Sequence, residues 1–318
     1  MKVVKFIKAY IKSMRPYLFL VTGIAGWLGI AFSNLQAGIL RQIIVLVILF
    51  ISGGINQVIN DILGLKEDRI NAPHRPIILG ELNIKYALIT TFLFFLLGGI
   101  ITYFLNPYAL ILYFIGYVFN IIYEYFKGIP LLGNIWFGIL MGICPLYGAL
   151  AISQENFMII FSNKDLLFVS LFVVLICSTM CFFTYFKDYQ GDKLAGKKTL
   201  VVLLSPAKAK FLNFIMSTFP FIILFVILYY KIWQPGINLY FLIFIGISFI
   251  ILQYTAFLYF KNPQGEKTYY SLKWNFTGTV LFKSSFIALV NPLLSMMIFI
   301  SGFILVGYLF SICKDPLA

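Results

Sequence analysis

Acidic side chains are scarce in this chain: 11 Asp and Glu stand against 24 Lys and Arg, and charged residues of every kind make up 11% of its 318 positions. So little charge, in a composition that is 61% hydrophobic, excludes an ordinary soluble globular protein. Histidine occurs once, as His74, and cysteine four times, as Cys144, Cys177, Cys181 and Cys313. Cys177 and Cys181 share a helix face, but no His or further Cys accompanies them, so they read as buried free thiols rather than a metal site. The N-terminus lacks the short apolar core and small-residue cleavage site of a removable signal peptide. Instead, Lys2, Lys5, Lys8 and Lys12 alternate with Phe6, Ile7, Tyr10, Ile11 and Met14, which suits a basic helix over 1–15 lying in a membrane interface.

What the chain does have is apolar runs close to the ~20 residues that cross a bilayer. They recur at 17–34, 42–62, 84–105, 108–124, 131–153, 165–186, 210–230, 238–260 and 283–311. The expected fold is an all-α membrane protein, one domain over 1–318, with nine transmembrane helices bundled around a central cavity. Placing the N-terminus in the cytoplasm puts 20 basic residues on that side and leaves Arg41, Lys164, Lys231 and Lys314 on the other. That asymmetry orients the chain in the cell membrane with the cavity open to the cytoplasm. It also explains the net charge of +13 without nucleic acid, as short loops facing anionic lipid. Gly138 and Gly142 in the fifth run, and Gly23, Gly26 and Gly29 in the first, mark close helix packing.

Two short segments gather nearly half of the acids: Asp61, Glu67 and Asp68 after the second run, Asp188 and Asp192 after the sixth. Carboxylates beside hydrocarbon-length segments are costly and mark function by default. On a helix Asn60, Gly64 and Asp68 fall on one face, and Asp188 and Asp192 are likewise spaced i, i+4. Two such faces opposed across a cavity offer the oxygen ligands that Mg²⁺ takes together with phosphate. Basic residues that would complete a diphosphate site are Arg15, Arg69, Arg75, Lys127, Lys187 and Lys193, with Lys197 and Lys198 nearby. Asn60 fits either a metal ligand or an interhelical hydrogen bond. Gly191, just before Asp192, allows a turn or a close backbone approach. His74, between prolines, reads as a turn residue. Aromatics, 19% of the chain, are mostly core and interfacial filler, though a few could shield an allylic cation.

In these features the chain resembles the UbiA-type intramembrane prenyltransferases. The likeness rests on Arg15-Pro16 before the first run and on Asn60-Asp61-x-x-Gly64-x-x-x-Asp68 followed by Arg75-Pro76. It also rests on Tyr123, Lys127, Pro130, Gly133 and Asn134, and on Asp188-Tyr-Gln-Gly191-Asp192. The resemblance implies Mg²⁺ held by Asn60, Asp61, Asp68, Asp188 and Asp192, with Asp68, Asp188, Asp192 and Lys127 catalytic. A prenyl diphosphate would be ionised and its prenyl group passed to an aromatic, quinone-precursor or lipid acceptor. One departure stands out: Gly64 occupies the place of the middle Asp of the first motif. Asp61 or Glu67 would then compensate, or fewer ions would be held. That gap keeps open a membrane terpene cyclase, which needs no acceptor; a transporter or lipid-binding bundle without chemistry is a third reading.

Overall fold

The computed structural model describes residues 3–312, so that Lys2, Cys313 and Lys314 lie outside the described residues. Within them every regular element is a helix. In chain order these are α1 Val3–Met14, α2 Phe19–Phe32, α3 Ile39–Leu63, α4 Leu65–Asn71, α5 Ile84–Leu105, α6 Pro107–Phe126, α7 Leu132–Ile152 and α8 Met158–Ser162. There follow α9 Lys164–Lys187, α10 Tyr189–Leu194, α11 Leu200–Leu204, α12 Pro206–Ala209, α13 Asn213–Tyr229, α14 Leu239–Lys261, α15 Lys267–Ile287 and α16 Pro292–Ile312.

Side-chain caps start several of the long helices. Asn83, Asn106, Asn163 and Asn238 each accept backbone N–H groups of the first turn of α5, α6, α9 and α14, satisfying donors that hydrocarbon would leave orphaned. Eight helical stretches are long and apolar enough to cross a membrane, and α1 with α2 makes a ninth if that pair, bent by 42°, is one span. The bend falls at Arg15-Pro16. Proline disfavours the right-handed helical conformation of the residue before it, and Arg15 adopts φ 51°.

The last apolar run departs from expectation. Residues 283–311 are not one span: α15 ends at Ile287 and α16 begins at Pro292. The stretch before Lys283, expected as a loop, is helix, and its polar side chains Thr268, Ser271, Asn275, Thr277 and Thr279 are buried. Hydropathy misreads such a helix because its polar groups face protein, not water. Lys283, counted above among loop cations, is fully buried and donates to the Val21 carbonyl at 2.6 Å. The end of α16 accordingly returns to the end of the bundle that carries the acidic segments, where the Tyr17 and Phe310 rings lie 4.3 Å apart.

The centre of the bundle is α2, α7, α9 and α15, whose packing is tight enough to require glycine. A Cβ on Gly29 would collide with the Pro145 carbonyl, and one on Gly138 with the Val174 carbonyl, so backbones touch as small-residue interfaces allow. At the end away from the acidic segments, Arg41 ties helix C-termini together by donating to the carbonyls of Ala151 at 3.2 Å, Ser153 at 2.8 Å and Leu105, where helix dipoles favour a cation.

Candidate active site

The first acidic segment is the end of α3 and the whole of α4. Gly64 joins the two helices at φ −92°, an ordinary conformation, so the helical register carries through and Asp68 follows Asn60 and Gly64 along one side. Asp61 is 1% exposed; it accepts from Arg15 and lies 3.1 Å from Arg75. Arg75, in the loop after α4, also pairs with Asp68. Arg15 is held by Gln57 as well, at 2.9 Å, one turn before Asp61.

The second segment is the end of α9 and α10. Asp188 caps α9, and Asp192 in α10 is fully buried. Lys127, which ends α6, sets its Nζ 3.2 Å from Asp192 Oδ1 and 3.6 Å from Asp188 Oδ2. Burial pulls the Lys127 ammonium toward deprotonation, but Asp192 and Asp188 outweigh it and hold Lys127 above the ordinary lysine range. Burial likewise opposes the Asp188 charge, yet Lys127, Lys187, Arg75 and Arg15 keep Asp188 below the usual carboxylate range. For Asp192 burial prevails, and its pKa is pushed up to about 6. The cation-facing carboxylate and the sequestered one are thus driven apart by environment.

One side chain joins the segments. Asn71 of α4 donates to the Asp188 carbonyl at 3.0 Å and accepts from the Gly191 N–H at 2.8 Å. Gly191 serves this close approach rather than a turn, since a Cβ there would meet the Asn71 side chain and the Glu67 carbonyl. Between the joined segments opens a cavity of about 130 Å³ lined by Arg15, Gln57, Asn60, Glu67, Asp68, Arg75, Glu124, Lys127 and Asp188, with Leu18, Phe137, Met180 and Phe276 as apolar wall. A smaller cavity shares Arg15 and Arg75 and adds Lys12, Asp61, His74 and Lys187.

Of the residues picked out from sequence, Asp68, Asp188, Arg15, Arg75, Lys127 and Asn60 line the main cavity. Asp61 and Lys187 line its neighbour. Asp192 lies behind Lys127. Arg69 and Lys193 are exposed and line neither cavity; Lys193 Nζ sits over its own helix's Tyr189, 5.7 Å from the ring centre. Asn60 exchanges amide hydrogen bonds with Asn120 of α6 at 2.9 and 3.3 Å, which realises the interhelical role weighed above. Sequence reasoning missed Gln57, Asn71, Asn120 and Glu124. Gln57, four residues before Asp61, and Glu124, one of the 11 acids and next to Tyr123, carried a signal; Asn71 and Asn120 did not. Lys197 bonds Glu124 and, at 2.6 Å, Glu67, and Lys197 holds Glu67 below the ordinary carboxylate range against the effect of burial.

A model of the UbiA prenyltransferase family matches residues 18–277, which contain both acidic segments and Lys127. The chain belongs to that family. This UbiA-family member is an enzyme of the prenyl-transferring class. It is 30% identical over 264 residues to the digeranylgeranylglyceryl phosphate synthase of Thermococcus kodakarensis, covering 81% of this chain and 89% of that one. To the synthase of the same name from Pyrococcus abyssi it is 28% identical, covering 82% and 92%. A solved structure concerned with digeranylgeranylglyceryl phosphate synthase superposes with TM-score 0.58 at 25% identity, over 89% of this chain and 97% of that one. A UbiA homologue from Archaeoglobus fulgidus bound to DMAPP and Mg²⁺ shares the fold, with TM-score 0.54 at 16% identity over 96% and 99% of the chains.

Proposed function

We propose that this UbiA-family enzyme transfers a prenyl group from an allylic prenyl diphosphate to the hydroxyl of a glycerophosphate lipid, with Mg²⁺ as cofactor. The observation that carries the reading is the single cavity bounded by carboxylates of both acidic segments and by Arg15, Arg75 and Lys127. The names of the curated relatives support the acceptor class.

The donors suit Mg²⁺ by their chemistry: all are oxygens, and Asp61 Oδ2 and Asp192 Oδ2 are buried without a hydrogen-bond partner, while Asp192 Oδ1 has the Lys127 ammonium at 3.2 Å. Among the described residues no three His, Cys, Asp or Glu side chains close into a cage of their own. Mg²⁺ needs no such cage, since it takes one or two carboxylates and completes its shell with phosphate and water. Asp68 and Asp188 on the cavity wall would hold it, with Asp61 and Asp192 behind them. Mg²⁺, when bound, would supply Lewis-acid stabilisation of the departing diphosphate.

The chain's own residues do the rest. Arg75, Arg15 and Lys127 present charge where the leaving oxygens gain it, preorganised by the acids they already pair with. The allylic C–O bond breaks and its electron pair leaves with diphosphate. The acceptor hydroxyl oxygen then bonds to the allylic carbon, and its proton passes to a diphosphate oxygen. Leu18, Phe137, Met180 and Phe276 keep water from the cation between these events. In this reading the site faces the cytoplasm, on the basic-residue asymmetry, and α1 lies in the interface, its Val3, Val4, Ile7 and Ile11 being exposed.

The test is to incubate purified protein with Mg²⁺ and allylic diphosphates of ten to twenty carbons, with and without a glycerophosphate lipid. Diphosphate release that requires the lipid and yields a prenyl ether supports the reading. Release without acceptor, giving only hydrocarbons, makes the protein a terpene cyclase and overturns it.

A further inference from the structure

We infer that Glu124 is a ligand of the divalent cation, supplying from α6 the carboxylate that Gly64 leaves out of α3. This rests on the reading of the cavity as a metal–diphosphate site and names a residue of it that the acidic segments do not contain.

Gly64 stands between Asn60 and Asp68 on the face turned to the cavity, and it lines that cavity with no side chain of its own. A Cβ built on it meets the Asn60 carbonyl at 3.1 Å, Glu124 Oε1 at 3.6 Å and Asp68 Oδ2 at 3.8 Å. The space that a side chain at 64 would enter is therefore already bounded by two carboxylate oxygens, one from each helix. A Cβ at 64 would rest in van der Waals contact with both carboxylates, and glycine leaves that space open. Like charges lining one cavity raise each other's energy unless a cation lies with them. Arg75 serves Asp68, while Lys197 is shared between Glu124 and Glu67. Lys127, already engaged by Asp188 and Asp192, also acts on both Glu124 and Glu67; with each of these two ammoniums shared, neither glutamate has a cation of its own.

The two compensating acids expected from sequence are placed less well. Asp61 is enclosed by Arg15 and Arg75 and lines the neighbouring cavity, not this one. Glu67 shares Lys197 with Glu124 and lines the same cavity, but a side chain at 64 would meet Glu124 and Asp68 first.

The test is direct metal binding by the full-length protein in detergent, with Mn²⁺ as probe, inorganic diphosphate present, and free Mn²⁺ read by electron paramagnetic resonance. Glu124→Gln is expected to weaken Mn²⁺ binding by about 10–100-fold. Adding Gly64→Asp to that variant returns the carboxylate from α3 and should restore most of the lost affinity. Glu67→Gln removes the other partner of Lys197 and should leave Mn²⁺ affinity within about threefold of the parent, well short of the loss at a ligand. Glu124→Asp, which keeps the charge should Glu124→Gln prove unstable, should fall between. Unchanged binding in Glu124→Gln and Glu124→Asp overturns the inference, as does a loss that Gly64→Asp does not repair or that Glu67→Gln equals; Glu124 then only holds Lys197. No Mn²⁺ binding by the unmutated protein overturns the metal-site reading itself, and this inference with it.

Discussion

The side-chain amide of Asn71 bonds the backbone on both sides of Gly191's helix start, donating to Asp188 O and accepting from Gly191 N. Two segments about 120 residues apart in the chain are thereby held as one wall. Asn71→Ala removes both bonds, each worth about 1 kcal/mol, and lets Asp68 and Asp188 drift apart. Turnover is expected to fall about 10–100-fold, as for residues supporting ligands, with a modest loss in thermal stability in detergent. An unchanged rate would mean that the wall is fixed by other contacts.

Asp68→Ala and Asp192→Ala are each expected to abolish turnover, whereas Glu67→Ala only weakens it. Asp68 borders the main cavity, but Asp192 acts from behind Lys127 and has no exposure of its own. Diphosphate release by the purified variants is the measurement. Equal activity in all three would mean the site is misassigned.

Lys127 answers both Asp188 and Asp192, so its loss removes a leaving-group cation and strands two carboxylates. Lys127→Met should reduce kcat by about 10²–10³, the usual cost of one preorganised charge. Lys127→Met combined with Asp192→Asn should cost little more than the worse single change, since groups acting as a unit are not additive. Additive losses would argue that Asp192 serves something other than Lys127.

Lys283 makes a different prediction. Its ammonium is fully buried against one recorded acceptor, the Val21 carbonyl. A buried charge is weak evidence for stability, and a well-packed apolar replacement is often neutral or stabilising. Lys283→Met should therefore match or exceed the parent in thermal unfolding. Lys283→Ala should lie below Lys283→Met by about 2–5 kcal/mol, the range for truncating a buried long side chain. A fall in Lys283→Met comparable to Lys283→Ala would show that the ammonium itself holds α2 to α15.

Much of the site was legible before the fold because its acids are so few. In a chain this apolar, Asp68, Asp188 and Lys127 stand out as rare charges beside apolar runs; the structure gathers all three on one cavity. What stayed hidden is relational. Asn71 and Glu124 look like ordinary helix-end residues, and Asn120 like a stray polar residue in an apolar run, until α4 meets α10, or α6 meets α3. The gap at Gly64 was visible as an absence, yet one of the carboxylates that borders it, Glu124, is 60 residues away. Apolar runs likewise located most spans but not α15, whose buried Thr, Ser and Asn side chains imitate a loop. Asn275 shows why the imitation fails: its amide donates to the Met180 carbonyl at 3.0 Å, inside the bundle.

That polar central helix has a consequence for how the protein reaches its membrane. A segment carrying Lys267, Lys273, Asn275 and Lys283 gains little by entering lipid alone, because each polar group needs a protein partner there. Its partners lie on α2 and α9, made earlier, and on α14 and α16 at either side. During synthesis α15 is thus expected to wait at the insertion machinery until α16 has emerged and to enter together with it. A nascent chain ending near Asn291 should leave α15 outside the bilayer, which glycosylation mapping of truncated chains would reveal.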